Sequence, residues 1–114
     1  MLSGRLLLVC PDPDLRLSLT GAMEREGLAV TVRDLPPSRS WLAANRFDCT
    51  IVDQRAFSGA DYEAIAFCIK AHPVVLLAAS PHAWLTEWVV KTLALPLKPG
   101  DVIAAVREAM FAEA

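Results

Sequence analysis

Asp53 follows the apolar run Thr50-Ile51-Val52, with Gln54 and Arg55 behind it. A carboxylate at the carboxyl end of a buried strand is costly unless something neutralises or uses it. Three other apolar runs end on polar groups. Leu6 to Val9 leads into Cys10, Pro11 and Asp12; Val74 to Ala79 ends at Ser80; Leu93 to Leu97 ends at Lys98 and Pro99. In a parallel α/β sheet all of these ends lie on one rim, where ligands and reacting groups collect. No Ser-His-Asp set, Cys-His set or glycine-rich phosphate loop is present. His72 and His82 read as surface residues. The chemistry open to the chain is that of a carboxylate working with a hydroxyl and an ammonium group.

The elements that must position these groups alternate along the chain. Arg5 to Val9 reads as a strand. Asp12-Pro13 is an N-cap followed by a first-turn proline. Leu15, Leu19, Ala22 and Met23 then recur at helical spacing, and Gly27 is a C-terminal stop. Leu28 to Val32 alternates as an edge strand does. Pro36-Pro37-Ser38 starts a short helix to about Asn45, and Asp48 to Asp53 is the third strand. After a loop containing Ser58 and Gly59, Tyr62, Ile65, Ala66 and Ile69 form a helical stripe. Val74 to Ala79 is the fourth strand. Ser80-Pro81 starts a helix to about Thr92, Leu93 to Leu97 is the fifth strand, and Val102, Ile103, Val106 and Met110 mark the last helix. Five βα units call for a parallel sheet covered by helices on both faces. The first, third and fourth strands are the most continuously apolar and belong in the centre. Thr31 and Arg33 in the second strand and Pro96 in the fifth suit edges. The order 2-1-3-4-5 follows, with Asp12 and Asp53 flanking the switch point: a flavodoxin-like (βα)5 fold, residues 1–114 as a single domain.

At this point the chain resembles the receiver domains of bacterial two-component response regulators. The resemblance runs over essentially its whole length. It is carried by Leu6-Leu7-Leu8-Val9 before Asp12-Pro13-Asp14-Leu15-Arg16, by Ile51-Val52-Asp53, by Val75-Leu76-Leu77-Ala78-Ala79-Ser80, and by Leu97-Lys98-Pro99. It implies that Asp53 is the phosphoacceptor, that Ser80 and Lys98 sense and bind the phosphate, and that Pro99 follows a cis peptide bond. It also implies a histidine kinase or phosphotransfer protein as partner, and no enzymatic activity beyond self-phosphorylation.

The chain departs from that pattern where the metal belongs. The adjacent acids that hold Mg²⁺ in the family fall on Cys10 and Pro11, neither a hard oxygen ligand through its side chain. Mg²⁺ is therefore expected to be weakened, and no cofactor is assigned. Asp12, one step out of place, is either a remnant of the acid site or the cap of its helix. The family's proline after the acceptor is replaced by Phe57, and Gly59 comes too early. The aromatic position before the lysine is Leu95. A phosphoryl group brought to a carboxylate needs cationic compensation. Arg55, two residues beyond Asp53, is a candidate to supply the missing charge.

Two functional readings follow. In one, Asp53 accepts a phosphoryl group in a phosphorelay. In the other, the chain is a pseudo-receiver, a dimerisation or protein-docking module independent of phosphorylation. A flavin- or nucleotide-binding protein on the same topology is disfavoured by the missing phosphate loop. Trp84, Trp88 and Leu95 mark a candidate interaction face, on which a homodimer would form through the fourth helix, fifth strand and fifth helix; filling the core is the other role open to the two tryptophans. With 114 residues, the chain has enough length to bury a real core. Its net charge of −2 and scattered basic residues argue against nucleic acid. Lys70, His72 and Pro73 interrupt the longest apolar stretch, so no membrane span is expected. Cys10, Cys49 and Cys68 show neither metal nor disulfide spacing and read as buried free thiols, which suits a reducing, cytoplasmic location.

Overall fold

Leu6, Leu7, Leu8 and Val9 are all fully buried, and so are Ile51 and Val52. Strands apolar on both sides must be covered on both sides. The computed structural model, which describes residues 3–58 and 61–111, does this with a five-stranded parallel sheet in the order β2-β1-β3-β4-β5. The elements are β1 (Gly4–Val9), α1 (Pro13–Arg25), β2 (Leu28–Arg33), α2 (Arg39–Ala44), β3 (Cys49–Asp53), a 3₁₀ turn (Gln54–Ala56), α3 (Asp61–Lys70), β4 (Val74–Ala78), α4 (Ala83–Thr86), β5 (Lys91–Ala94) and α5 (Pro99–Phe111). Leu6, Leu8, Cys49, Ile51, Val75 and Leu77 face α1 and α5. Leu7, Val9, Val52, Val74 and Leu76 face α2, α3 and α4. This is the expected flavodoxin-like architecture.

Local chemistry sets the ends of α1. The Asp12 carboxylate caps it, accepting from the backbone N–H groups of Asp14 at 3.0 Å and Leu15 at 3.3 Å. Gly27 takes a φ of 100° beyond its last turn, a conformation that costs glycine little. On the sheet's other face, Arg33 lies over Trp41, Trp41 stacks on Phe47, and Arg5 lies over Phe47. That column fastens the short α2 to the edge of the sheet.

Three details differ from expectation. The buried residues of α3 are Ala64, Phe67 and Cys68; Tyr62 and Ile69 point outward, and Ile65 and Ala66 are half-buried. The helix after Ser80 has four residues, Ala83–Thr86, rather than running to Thr92. β5 begins at Lys91 and ends at Ala94, three residues before the expected Leu97. The last two have a common cause. The Val90 N–H already donates to the Val74 carbonyl at 2.9 Å. The chain must cross from the helical layer to the sheet edge within residues 87–90, and the β-branched Val89, Val90 and Thr92 favour that early extension. The strand then stops ahead of Pro96, which cannot donate to the ladder.

All three cysteines are free and buried, as expected. Burial pushes the thiols of Cys49 and Cys68 up to about 12. Unfolded thiols ionise near pH 8.5. Above that value the unfolded chain therefore binds fewer protons than the folded one, and stability falls as pH rises toward 12. Urea midpoints measured from pH 8 to 11 should decline, and a Cys49→Ala/Cys68→Ala chain should decline less steeply. A thiol reagent that modified these cysteines in the native protein at the rate of a free thiol would contradict the burial.

Candidate functional site

The carboxyl rim between β1 and β3 is built around Asp53. It is the last residue of β3 and, with Thr50, one of two buried polar residues among those described; its exposure is 0%. Its neighbours fix it from several directions. The backbone N–H of Arg55 donates to Oδ1 at 2.9 Å. The Arg55 guanidinium lies across both oxygens, with Nε 3.1 Å from each and Nη2 2.6 Å from Oδ2. The Cys10 thiol points at Oδ2 from 3.8 Å. Asp53 also caps the 3₁₀ turn that carries Arg55, so the turn that supplies the cation is held by the anion it neutralises. The Asp53 hydrogen bond holds the Arg55 guanidinium above its ordinary range.

Asp12 sits at the mouth of this arrangement. Its Oδ1 is committed to the cap of α1, and its Oδ2 lies 3.7 Å from Arg55 Nη2. Between the two carboxylates lies Cys10, whose carbonyl accepts from Arg16 Nη1 at 2.9 Å. Burial pushes the Cys10 thiol up, against the lowering effect of its hydrogen bond to the Asp12 carbonyl; the carboxylates of Asp53 and Asp12 push it further up. It stays a neutral donor. This donor set does not fit Mg²⁺, which demands oxygen ligands in octahedral array. Cys10 and Pro11 supply none from their side chains, and both oxygens of Asp53 already accept. No group of three or more His, Cys, Asp or Glu residues among those described could hold a metal ion.

Ser80 lies two residues beyond β4 and is exposed. Its carbonyl accepts from Gln54 Nε2 at 3.0 Å, while Gln54 Oε1 accepts the His82 N–H at 2.9 Å. No hydrogen bond joins its hydroxyl to Asp53 among the described residues. Lys98 lies four residues beyond β5 and is exposed, and among the described residues no hydrogen bond or ion pair joins it to Asp53. The residue that adjoins the strand end is Leu95, whose N–H donates to the Ala78 carbonyl at 3.2 Å. The cis bonds described are His72–Pro73 and Leu95–Pro96. Pro99, the expected position, is the first residue of α5. Leu95 and Pro96 instead join Leu15, Leu19, Leu97 and Val102 around a groove of about 530 Å³ that opens beside Arg55 and Asp12.

The candidate interaction face is split. Trp84 is half-buried, packs against the core, and stacks on His82 with ring centroids 5.2 Å apart. Trp88 is 41% exposed, and Val90 and Phe111 are exposed with it. Gln54 was not singled out from sequence. Only its position beside Asp53 hinted that it could bridge to the β4–α4 loop.

No family model matches the chain, and no curated protein matches it in sequence. Solved structures do match it in three dimensions. The receiver domain of the sensor histidine kinase PA1611 from Pseudomonas aeruginosa PAO1, with magnesium coordinated in its active-site cleft, superposes with a TM-score of 0.79 at 18% identity, covering 96% of this chain and 98% of that one. A putative response regulator from Chloroflexus aurantiacus gives 0.78 at 20% identity, covering 96% and 98%. The Vibrio cholerae chemotaxis protein CheY4 gives 0.76 at 16%, covering 95% and 99%. The chain has the fold of the response-regulator receiver domains.

Proposed function

We propose that this chain is a two-component-type signalling domain whose acceptor site is closed by an internal ion pair. It acts through protein–protein contact without phosphoryl transfer. The observation that carries this reading is the Arg55 guanidinium lying across both oxygens of Asp53, within a carboxylate that has no exposed surface. A phosphoryl donor must reach one of those oxygens in line. It must first displace a charged hydrogen-bond donor worth about 1.5–3 kcal/mol. It then meets a site whose Cys10 and Pro11 side chains offer no hard oxygen to a divalent cation that could spread the new charge. One unit-charge pair about 4 Å apart is worth roughly 4 kcal/mol at an effective dielectric near 20, so replacing a divalent ion by a single guanidinium forfeits an amount of that order. Each 1.36 kcal/mol is about tenfold in rate. Arg55 thus neutralises the rim of the resting fold. It supplies no second positive charge for a phosphoryl group.

The partner-facing surface in this reading is the one around Trp88, Val90 and Phe111, on the α4, β5 and α5 side. No helix among the described residues is long and apolar enough to cross a membrane.

Beryllofluoride, a phosphoryl mimic, tests the reading. With and without Mg²⁺, the amide resonances of residues 53–57 and 78–82 and the tryptophan fluorescence should stay unchanged. A saturable, Mg²⁺-dependent shift that disappears in Asp53→Asn would establish Asp53 as a working acceptor instead.

The ion pair makes a second, thermodynamic prediction. Arg55→Ala leaves a buried carboxylate with a backbone N–H and a thiol as its remaining donors. It should lower stability by about 1.5–3 kcal/mol in urea unfolding, the scale of a hydrogen bond to a charged group. Arg55→Lys should recover only part of this, because it restores the charge without the planar fork. An Arg55→Ala chain as stable as the parent would show that Asp53 does not depend on the pair.

A further inference from the structure

The outward side of α3 is apolar where a surface helix is ordinarily polar. Tyr62 is 71% exposed and Ile69 56% exposed, with Ile65 and Ala66 half-buried between them. Its inner side is apolar too, through Ala64, Phe67 and Cys68. A helix apolar on both sides is ordinarily covered on both. Asp61 and Lys70 flank the outward stripe at its two ends; both are exposed, and no ion pair engages either of them among the described residues.

The pattern has an internal symmetry. Residues four apart form rows along a helix surface. Here the two outward rows are Asp61–Ile65–Ile69 and Tyr62–Ala66–Lys70. A twofold axis through the midpoint of Ile65 and Ala66 exchanges them, pairing Asp61 with Lys70, Tyr62 with Ile69, and Ile65 with Ala66. A twofold interface requires this kind of self-complementarity: if residue i meets residue j, then j meets i. Packing such rows against each other gives the commonest helix crossing, near −50°. At that crossing the two rows lie parallel across the interface, which brings each carboxylate toward the partner's ammonium. Ala66, the small residue at the centre, lets the helices approach.

We propose that α3 is a self-association surface whose occupant is α3 of a second copy of this chain, packed antiparallel, with two symmetric Asp61–Lys70 ion pairs flanking a Tyr62–Ile69 apolar seam. The surface is separate from the Asp53 site and from the Trp88 face, and the proposal stands apart from the proposed function. Ten residues span only about 15 Å at 1.5 Å per residue, so the buried area falls at the small end of specific interfaces and the dimer is a reversible one.

Sedimentation velocity over a range of chain concentrations tests this. The parent chain should shift from monomer toward dimer as concentration rises, and Ile69→Glu should abolish the shift. Asp61→Lys alone and Lys70→Asp alone each place like charges opposite one another, and each should weaken association at least tenfold. An equimolar mixture of the two single variants should associate again, because every cross-pair then joins opposite charges. All of these side chains are exposed, and far-UV circular dichroism checks that each variant stays folded. Three results would overturn the proposal: a parent chain that remains monomeric throughout; single variants that associate as the parent does; or a dimer that survives Ile69→Glu and is lost in Phe111→Lys, which assigns it to the α4–β5–α5 face.

Discussion

A carboxylate with no exposed surface sits at the end of the central strand, and the organisation of the rim around it can be understood from that fact. Moving an ion out of water costs several kcal/mol even after the surroundings relax. The chain offsets that cost within a few residues of Asp53. The backbone turns immediately after β3 so that its own N–H and the Arg55 side chain close on the carboxylate. The turn forms because the anion caps it, and the anion is tolerable because the turn delivers a cation. Neither half is favourable alone. Their dependence explains why a short 3₁₀ segment, rather than an open loop, follows β3.

The same turn ties the site to the next layer of structure. Gln54 precedes Arg55, and its amide bridges the Ser80 carbonyl and the His82 N–H, at the start of α4. His82 in turn stacks on Trp84. Asp12 closes the other side, sharing its carboxylate between the α1 cap and Arg55. The polar groups at this rim are largely engaged with one another. In a site built to exchange ligands, at least some of them would have to be free to bind, and a fully satisfied network favours a single arrangement.

Much of this was legible in the sequence, for identifiable reasons. Strand order could be read because β1, β3 and β4 are apolar on both faces, while β2 carries Thr31 and Arg33 and Pro96 lies just past the end of β5. The Asp12 cap and the Gly27 stop could be read because each is a local device that works within a few residues. Arg55 could be singled out because the acid-pair positions, occupied by Cys10 and Pro11, left a charge deficit that needed an answer. Where α4 ends and β5 begins could not be read, because helix and strand compete for the same apolar run. Trp84 to Val90 suits either state by composition, and the outcome is set by pairing of Lys91 to Ala94 with β4, a non-local contact. Once β5 ends three residues early, Leu95 stands where the strand stops and Lys98 lies four residues beyond it. For α3 the error was one of phase: two apolar stripes share the helix, and periodicity alone cannot say which of them meets the sheet.

The residues at the rim point in one direction. Cys10 and Pro11 place no hard oxygen donor in a side chain at the end of β1. Leu95 presents an apolar side chain at the end of β5, beside the groove formed with Leu15, Leu19 and Val102. None of these side chains offers a charge, and Leu95 adds apolar surface to the rim. Asp53 at that buried position requires a resident cation, because a buried carboxylate must be compensated. Arg55 meets that requirement with a planar fork that engages both oxygens at once, which the point charge of a lysine could not do. The ion pair is what makes a fully buried acid tolerable at the end of β3.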